Sequence, residues 1–376
     1  MKRVFVWPFL LLATVLRLSG ESPAPALPDG LYAEVTTPRG VVLGELHFQK
    51  VPLAVANFVG LAEGTLGPSP RKLFFDGLTF HRVVPDFVAQ GGDPTGTGDG
   101  GAGYSFPDEF VPGLRHDSAG VMQMANDGPD TNGSQWCFML REMPRLNYLH
   151  SVFGHVVRGL EVLPQIRQGD TMRVKILRIG AAAKAFKADE ATFNRLSAKA
   201  KRYTGPPEPG PKAHFDDPDK LLPTDPARAK HFNFKLANFE RATGRKIYAR
   251  VLAHAPAGLE GNQLGRYLKE QAKLLGVAEK GVLAIYFADR QEWRLWVGDA
   301  LLPAFKKGAT AADGTVNQLE LHEAKQAFFA EARAKADAAI AYAVQHAPAD
   351  QPVPENQKLK LWTDAILDGL IFKFEP

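Results

Sequence analysis

A single cysteine, Cys137, stands among 376 residues, so no internal disulfide can form and packing alone must hold the fold. Long apolar spans are missing as well: the one apolar run, Val4 to Leu16, is too short to cross a bilayer comfortably and is followed by Arg17. Histidines are present but not paired for a metal. His81, His116, His150 and His155 show no ligand spacing, which argues against metal chemistry. The glycine-rich stretch Gly96 to Gly103 lacks the lysine-serine or lysine-threonine pair of a phosphate-binding loop, and it reads as a surface loop. No arginine-rich cluster interleaved with aromatics occurs, and a net charge of +4 is modest, so nucleic acid is not an expected partner. No cofactor is expected either.

What is present describes a globular chain long enough for two domains, with 45% hydrophobic and 23% charged residues. Lys2 and Arg3 precede the apolar run, and Ser19, Gly20 and small or proline residues up to Ala26 follow it. That order reads as a secretory signal over residues 1–26, cleaved between Gly20 and Ala26, and so as an exported protein, periplasmic or secreted. The alternative is an uncleaved membrane anchor, which Arg17 disfavours. A lipoprotein is disfavoured because no cysteine ends the run.

Leu31 to Thr36 and Val41 to Leu46 read as a hairpin turned at Thr37-Pro38-Arg39-Gly40. Pro52 opens a helix whose apolar face carries Leu53, Val55, Phe58, Leu61 and Ala62, with Gly64 placed to cap it. Short strands follow at 79–84, 121–125, 135–140, 152–157 and 172–179, separated by Gly, Pro and Asp clusters. Many short strands with one or two helices suggest a closed antiparallel barrel over residues 28–180. Residues 181–204 are alanine-rich, basic and read as one helix, and the Pro/Gly segment 205–217 reads as a linker across which few core contacts pass.

Phe80-His81-Arg82-Val83-Val84-Pro85-Asp86-Phe87-Val88-Ala89-Gln90-Gly91-Gly92-Asp93 resembles the signature of cyclophilins, the peptidyl-prolyl cis-trans isomerases. The resemblance runs on through Met124-Ala125-Asn126, Gly133-Ser134-Gln135 and Leu146 to His150-Ser151-Val152-Phe153-Gly154. It implies the closed barrel, and it implies catalysis by Arg82, Phe87, Gln90, Asn126 and His150 without a cofactor. It further implies that Phe87, Val88, Leu146 and His150 surround a proline ring, while Gln90 and the Asn126 backbone hold peptide carbonyls. Gly98, Ala125 and Asp127 match positions lining the groove for the preceding residue. Gln135 completes the site or supports the barrel wall. The implied partners are proline-containing polypeptides, bound by a monomer that assists folding of exported proteins.

Two departures from the best-known pattern remove volume from the pocket. Cys137 stands where many cyclophilins have phenylalanine, and Val88 where they often have methionine, so the pocket is either roomier or refilled by Trp136 or Phe138. Arg145 stands where cyclosporin-sensitive members carry tryptophan. A proline-binding scaffold without turnover is the alternative function.

Beyond the linker, Phe232, Leu236 and Phe239 sit at helical spacing, 247–252 and 282–288 read as strands, and Trp293, Leu295 and Val297 alternate with Arg294 and Trp296. A long helix follows at 320–345, giving a small α/β sandwich over 218–347. Lys280 to Tyr286 followed by Trp296 to Leu301 resembles the TPM domain family. That resemblance implies an envelope-protein partner bound through residues 218–376, or a phosphatase-like site that Asp289, Asp299 and Asp313 would line. The linker and C-terminal helix, 348–376, place Leu359, Trp362, Ile366 and Leu370 on one face, for docking on the second domain or for a membrane surface or partner.

Overall fold

The structure is a computed structural model that describes residues 26–259, 262–306, 318–348 and 350–376. Nearly all of the expected signal segment, and Asp313, lie outside the described residues. Twelve strands and eight α-helices follow one another in chain order within these limits. The first unit holds β1 (Gly30–Thr37), β2 (Gly40–Leu46), α1 (Pro52–Glu63), β3 (Arg82–Val84), β4 (Val88–Gly91), β5 (Val121–Met124), β6 (Trp136–Met139), β7 (Val152–Arg158) and β8 (Arg173–Ile179). Two helices then follow, α2 (Gly180–Ala185) and α3 (Glu190–Lys199). Gly64 ends α1 in the left-handed conformation at φ 70°, which a glycine adopts without Cβ strain.

The eight strands form one curled antiparallel sheet in the order β3-β4-β6-β5-β7-β2-β1-β8. The expected closed barrel is therefore corrected to an open, curled sheet: its edge strands β3 and β8 share no ladder, and only the isolated bridge Thr79↔Thr171 crosses between their leading ends. β3 is too short to pair further, because Pro85 and Asp86, the latter at φ 55°, turn the chain back after three residues. Strand alternation sends Ala89, Met122, Met124, Trp136 and Phe138 inward, where they join Phe58 and Phe80 in one apolar core. Trp136 meets Phe138 edge-on at 4.8 Å and Phe58 at 5.3 Å.

The single basic helix expected over 181–204 is instead two short helices. Asp189 breaks the run because its carboxylate accepts the Thr192 N–H at 2.8 Å and caps α3. Phe193 of α3 is buried in the first core, so this segment belongs to the first unit's packing.

The second unit contains β9 (Phe215–Asp216), α4 (Arg228–Thr243), β10 (Lys246–Leu252), α5 (Asn262–Leu274), β11 (Gly281–Phe287), β12 (Glu292–Val297), α6 (Leu302–Lys306), α7 (Gln318–His346) and α8 (Glu355–Phe374). Its sheet runs β12-β11-β10-β9, with β9, β10 and β11 parallel. Alternation splits the sheet into two buried faces. Tyr248, Leu283, Ile285 and Phe287 pack on α5, whereas Ile247, Ala249, Val251, Val282 and Ala284 face α4, α7 and α8. Ile366, Leu370 and Phe374 bury α8 in this second core.

Few core contacts were expected between the units, and the structure differs. Tyr148 of the first unit is buried in the second core, where it meets Phe239 edge-on at 5.2 Å. Burying such a side chain contributes roughly 1.5–3 kcal/mol. The Pro/Gly segment is held as well: Asn233 donates to Pro206 O at 2.7 Å, and the Arg250 guanidinium donates to the carbonyls of Pro211, Ala213, His214 and Ala249.

Candidate active site

The outer face of the curled sheet carries the candidate groove. Register places Arg82 opposite Gln90, Gln90 opposite Cys137 and Cys137 opposite Gln123, a row of four side chains across β3, β4, β6 and β5. Residues two positions along share that face. Thus Val88, Val121, Cys137, Met139, Met143, Leu146 and Val152 form a separate apolar cluster, with Phe87, Ala125 and Leu114 packed at its margin. The same alternation corrects the pocket expectation: Trp136 and Phe138 point into the core and cannot refill the space beside Cys137. Met139 and Met143 occupy the cluster instead, and unbranched thioether chains adapt well to such gaps.

Arg82 is exposed, and its Nη1 donates to Gln90 Oε1 at 3.3 Å. Gln90 Nε2 donates to Gln135 Oε1 at 2.8 Å, and Gln135 Nε2 donates to Gly98 O at 2.6 Å and Gly100 O at 2.9 Å. The chain of bonds therefore ends in the glycine-rich loop. Asp93 fixes that loop by accepting the N–H groups of Thr95 and Gly98 at 2.7 and 2.6 Å. Burial would raise the Asp93 carboxyl, but these bonds outweigh it and hold it at about 2.

Phe87 lies half-buried at the rim, with Arg82 Cζ 5.7 Å and Arg145 Cζ 5.0 Å from its ring centroid. Cys137 is buried, 3% exposed, beneath this rim, and burial pushes its thiol up to about 12, so it is inert as a nucleophile. His150 holds its Nδ1 3.1 Å from Met124 O, which makes Nδ1 the protonated nitrogen. Burial, then repulsion from His116, lowers His150 to about 3, so the ring is neutral at ordinary pH. Asn126 donates from Nδ2 to Leu149 O at 2.9 Å, which fixes the peptide beside Ala125. Asp127 and Gly98 are exposed at the groove's outer edge, and the Asp127 N–H is bonded to the Thr131 hydroxyl at 2.9 Å.

One part of the arrangement escapes the sequence reading. Helix α4 of the second unit lies against the groove's far wall with a polar stripe at helical spacing: Lys235, Asn238 and Arg241. Lys235 Nζ donates to Arg145 O at 3.3 Å and pairs with Asp368 of α8. Asn238 Nδ2 donates to Tyr148 O at 2.8 Å, and Arg241 reaches Asp130 at 2.6 Å and Asp108 at 3.2 Å. α8 packs against the short helical turn Pro144–Leu146, so Leu146 is clamped from behind. The signal was available in part: Lys235, Asn238 and Arg241 fall on one helical face, but that pattern reads as a solvated surface.

Comparison with known proteins agrees with the first unit. Residues 32–181 match the family described as cyclophilin type peptidyl-prolyl cis-trans isomerase/CLD. The probable peptidyl-prolyl cis-trans isomerase A of Mycobacterium leprae is 50% identical over 138 residues, 35% of this chain and 76% of the relative. Peptidyl-prolyl cis-trans isomerase CYP18-2 of Arabidopsis thaliana is 41% identical over 165 residues, 41% of this chain and 96% of the relative. A crystal structure of a Cryptosporidium parvum cyclophilin type isomerase matches at TM-score 0.35 and 30% identity, covering 41% of this chain and 99% of its own. With a curled antiparallel sheet, an outer groove and half-identical relatives covered over most of their length, the chain belongs to the cyclophilin-type peptidyl-prolyl cis-trans isomerases and is an enzyme of that activity.

Proposed function

We propose that Arg82 drives the reaction by stabilising the twisted prolyl amide, on substrates that are proline-containing segments of exported proteins. Rotation about an Xaa-Pro bond breaks amide resonance against a barrier of about 18–20 kcal/mol, so the uncatalysed exchange takes tens of seconds or more. As the bond twists, the prolyl nitrogen regains its lone pair and accepts a hydrogen bond that the planar amide cannot. A fixed guanidinium aimed at that nitrogen binds the twisted state better than either planar state. Roughly 10² turnovers per second require about 4–5 kcal/mol of barrier lowering. One charged hydrogen bond supplies about 1.5–3 kcal/mol, so the rest comes from holding the proline in an apolar pocket.

The observation that carries this reading is the coupled row: Arg82 bonded to Gln90 on the adjacent strand, beside the apolar floor of Val88, Cys137, Met139 and Leu146. In this reading Phe87, Leu146 and His150 wall the proline, Gln90 and the Asn126 backbone take its carbonyls, and Ala125, Gly98, Asp127 and Gln135 line the next site. Neutral His150 suits an apolar wall. Exchange of an Ala-Pro peptide, followed by NMR with the full chain, tests it. A rate equal to the buffer control would remove the activity, and an unchanged rate in Arg82→Ala would remove the arginine's role.

The scaffold reading differs in expecting no turnover, and its one structural support is that Arg145 lies over Phe87, its Cζ 5.0 Å from the ring centroid. Peptide binding without faster exchange would select it. We also propose export of the chain, from the charge and apolar pattern of its first residues, and an envelope partner for the second unit. The TPM-like reading of that unit is supported by its β11-to-β12 pairing across the Lys280 to Leu301 pattern.

A further inference from the structure

We infer that Arg241, carried by α4 of the second unit, is a positioning residue for the isomerase groove: by bridging Asp108 and Asp130 it holds the 126–132 loop, and so sets the place of Asn126. The inference rests on the reading of Asn126 as a substrate-binding residue. Asp108 and Asp130 cap one another, for Asp108 N–H donates to Asp130 Oδ1 at 3.1 Å and Asp130 N–H donates to Asp108 Oδ2 at 2.9 Å. Asp130 adopts φ 61°, a left-handed conformation uncommon for a non-glycine residue but open to Asp, whose short side chain bonds locally. The loop that begins at Asn126 thus turns on a residue held by its own carboxylate and that of Asp108, with Asp130 Oδ2 also accepting the Tyr203 N–H at 2.6 Å.

Both carboxylates are withdrawn from water, with side-chain exposures of 0% for Asp108 and 14% for Asp130. Two like charges so close repel, and among the described residues Arg241 is the one cation within ion-pair distance of either. Its planar fork spans both, Nη1 to Asp130 Oδ1 at 2.6 Å and Nη2 to Asp108 Oδ2 at 3.2 Å, which a lysine's point charge cannot do. From Asp108 the connection to the groove is direct. Its Oδ1 accepts Asn132 Nδ2 at 2.7 Å and Asn126 Nδ2 at 3.4 Å, and the latter nitrogen also bonds Leu149 O, beside His150. Phe110 lies under the guanidinium, 5.4 Å from its ring centroid, and Asn238 secures the adjoining Tyr148 carbonyl. Without Arg241 the buried Asp108 charge is unpaired, the two carboxylates move apart, and Asn126 leaves its position.

The test uses the full chain and measures kcat and KM for an Ala-Pro peptide in Arg241→Met, Arg241→Lys and Asn126→Ala, with near-UV circular dichroism as the check on folding. A loop that binds both planar and twisted peptide affects KM, so Arg241→Met is expected to raise KM about three- to tenfold with kcat within about twofold. Arg241→Lys, which reaches one carboxylate, is expected to fall between wild type and Arg241→Met. A merely structural arginine would lower the folded fraction, which reduces apparent kcat and leaves KM alone; that result overturns the inference. If Arg241→Met does not fold, Arg241→Lys decides, and a wild-type KM there overturns it. A raised KM in Asn126→Ala with a wild-type KM in the arginine variants removes Arg241 and keeps Asn126. Wild-type KM in all of them overturns the inference, removing Arg241 and the Asn126 side chain as positioning groups.

Discussion

The two walls of the groove are built by opposite strategies. The near wall, Arg82, Gln90, Gln135 and Gly98, is assembled within about fifty residues of chain and stays open to water. The far wall, Leu146, Tyr148 and His150, is backed by helices that begin some 80 to 210 residues later and bury it. Hydrogen bonds through the Gln90 and Gln135 amides, with Arg82 at one end and Asp93 under the glycine-rich loop at the other, order the first, and paired charges withdrawn from solvent order the second. Under the proposed reading, chemistry is concentrated on the wall that solvent reaches, while the opposite wall is backed by the rest of the molecule.

Breaking the far wall has the largest expected effect. Lys235 is fully buried and paired with Asp368, so Lys235→Ala leaves a buried carboxylate unpaired and is expected to destabilise the fold by roughly 3–5 kcal/mol in urea unfolding. A loss below about 1 kcal/mol would mean that the interface is solvated and that the two walls do not differ in kind.

Cys137→Phe probes the floor between the walls. Because Cys137 is packed among Val88, Met139 and Leu146, added bulk is expected to cost about 1–3 kcal/mol of stability. A variant as stable as wild type with altered substrate preference would instead show that the cluster has room for the ring.

On the near wall the expectation reverses. Arg82→Ala should reduce turnover at least about tenfold, since 1.4 kcal/mol of lost transition-state stabilisation is a factor of ten, while stability stays within about 0.5 kcal/mol of wild type. Equal losses of both would erase the contrast between the walls.

The last effect, comparable in size, is in pH. His150 is lowered to about 3 in the folded state from an ordinary value of 6.5, so below 6.5 the unfolded chain binds a proton that the folded chain does not. Its contribution to stability is complete above 6.5 and is lost as the pH falls from there toward 3. Between pH 7 and pH 5 wild type should therefore lose on the order of 1–2 kcal/mol more than His150→Asn. Identical acid dependence of the two proteins would show that His150 is solvated and that the far wall is open.

The same contrast explains what could be read from the sequence. The hairpin β1–β2, helix α1 with its Gly64 cap, and strands β5 to β8 follow from alternation and turn residues close in sequence; Arg82 and Gln90 are named by the family resemblance, and only the β3–β4 register sets them side by side. Strand β4 is hidden in the sequence because its four residues run Val-Ala-Gln-Gly, with little β character. β9, only two residues long, exists because β10 offers it an edge. α5 is masked in the sequence although Leu264, Leu268 and Ala272 recur every fourth residue, because charged residues surround them. Most of what was illegible lies at the interface: Lys235 and Asn238 carry the marks of a solvated face, and only the fold brings Arg145, Tyr148 and Asp368 to meet them.

The grip of Arg250 on four carbonyls has a hydrodynamic consequence. With residues 211–214 anchored to the second sheet, and α4 in turn anchored to the first unit, the tether between the units has no free length about which to swivel. The molecule should tumble as one particle, with a single rotational correlation time for amides on β6 and β11 alike. A proline segment diffusing toward the groove therefore meets a partner whose entrance turns only as fast as the whole body.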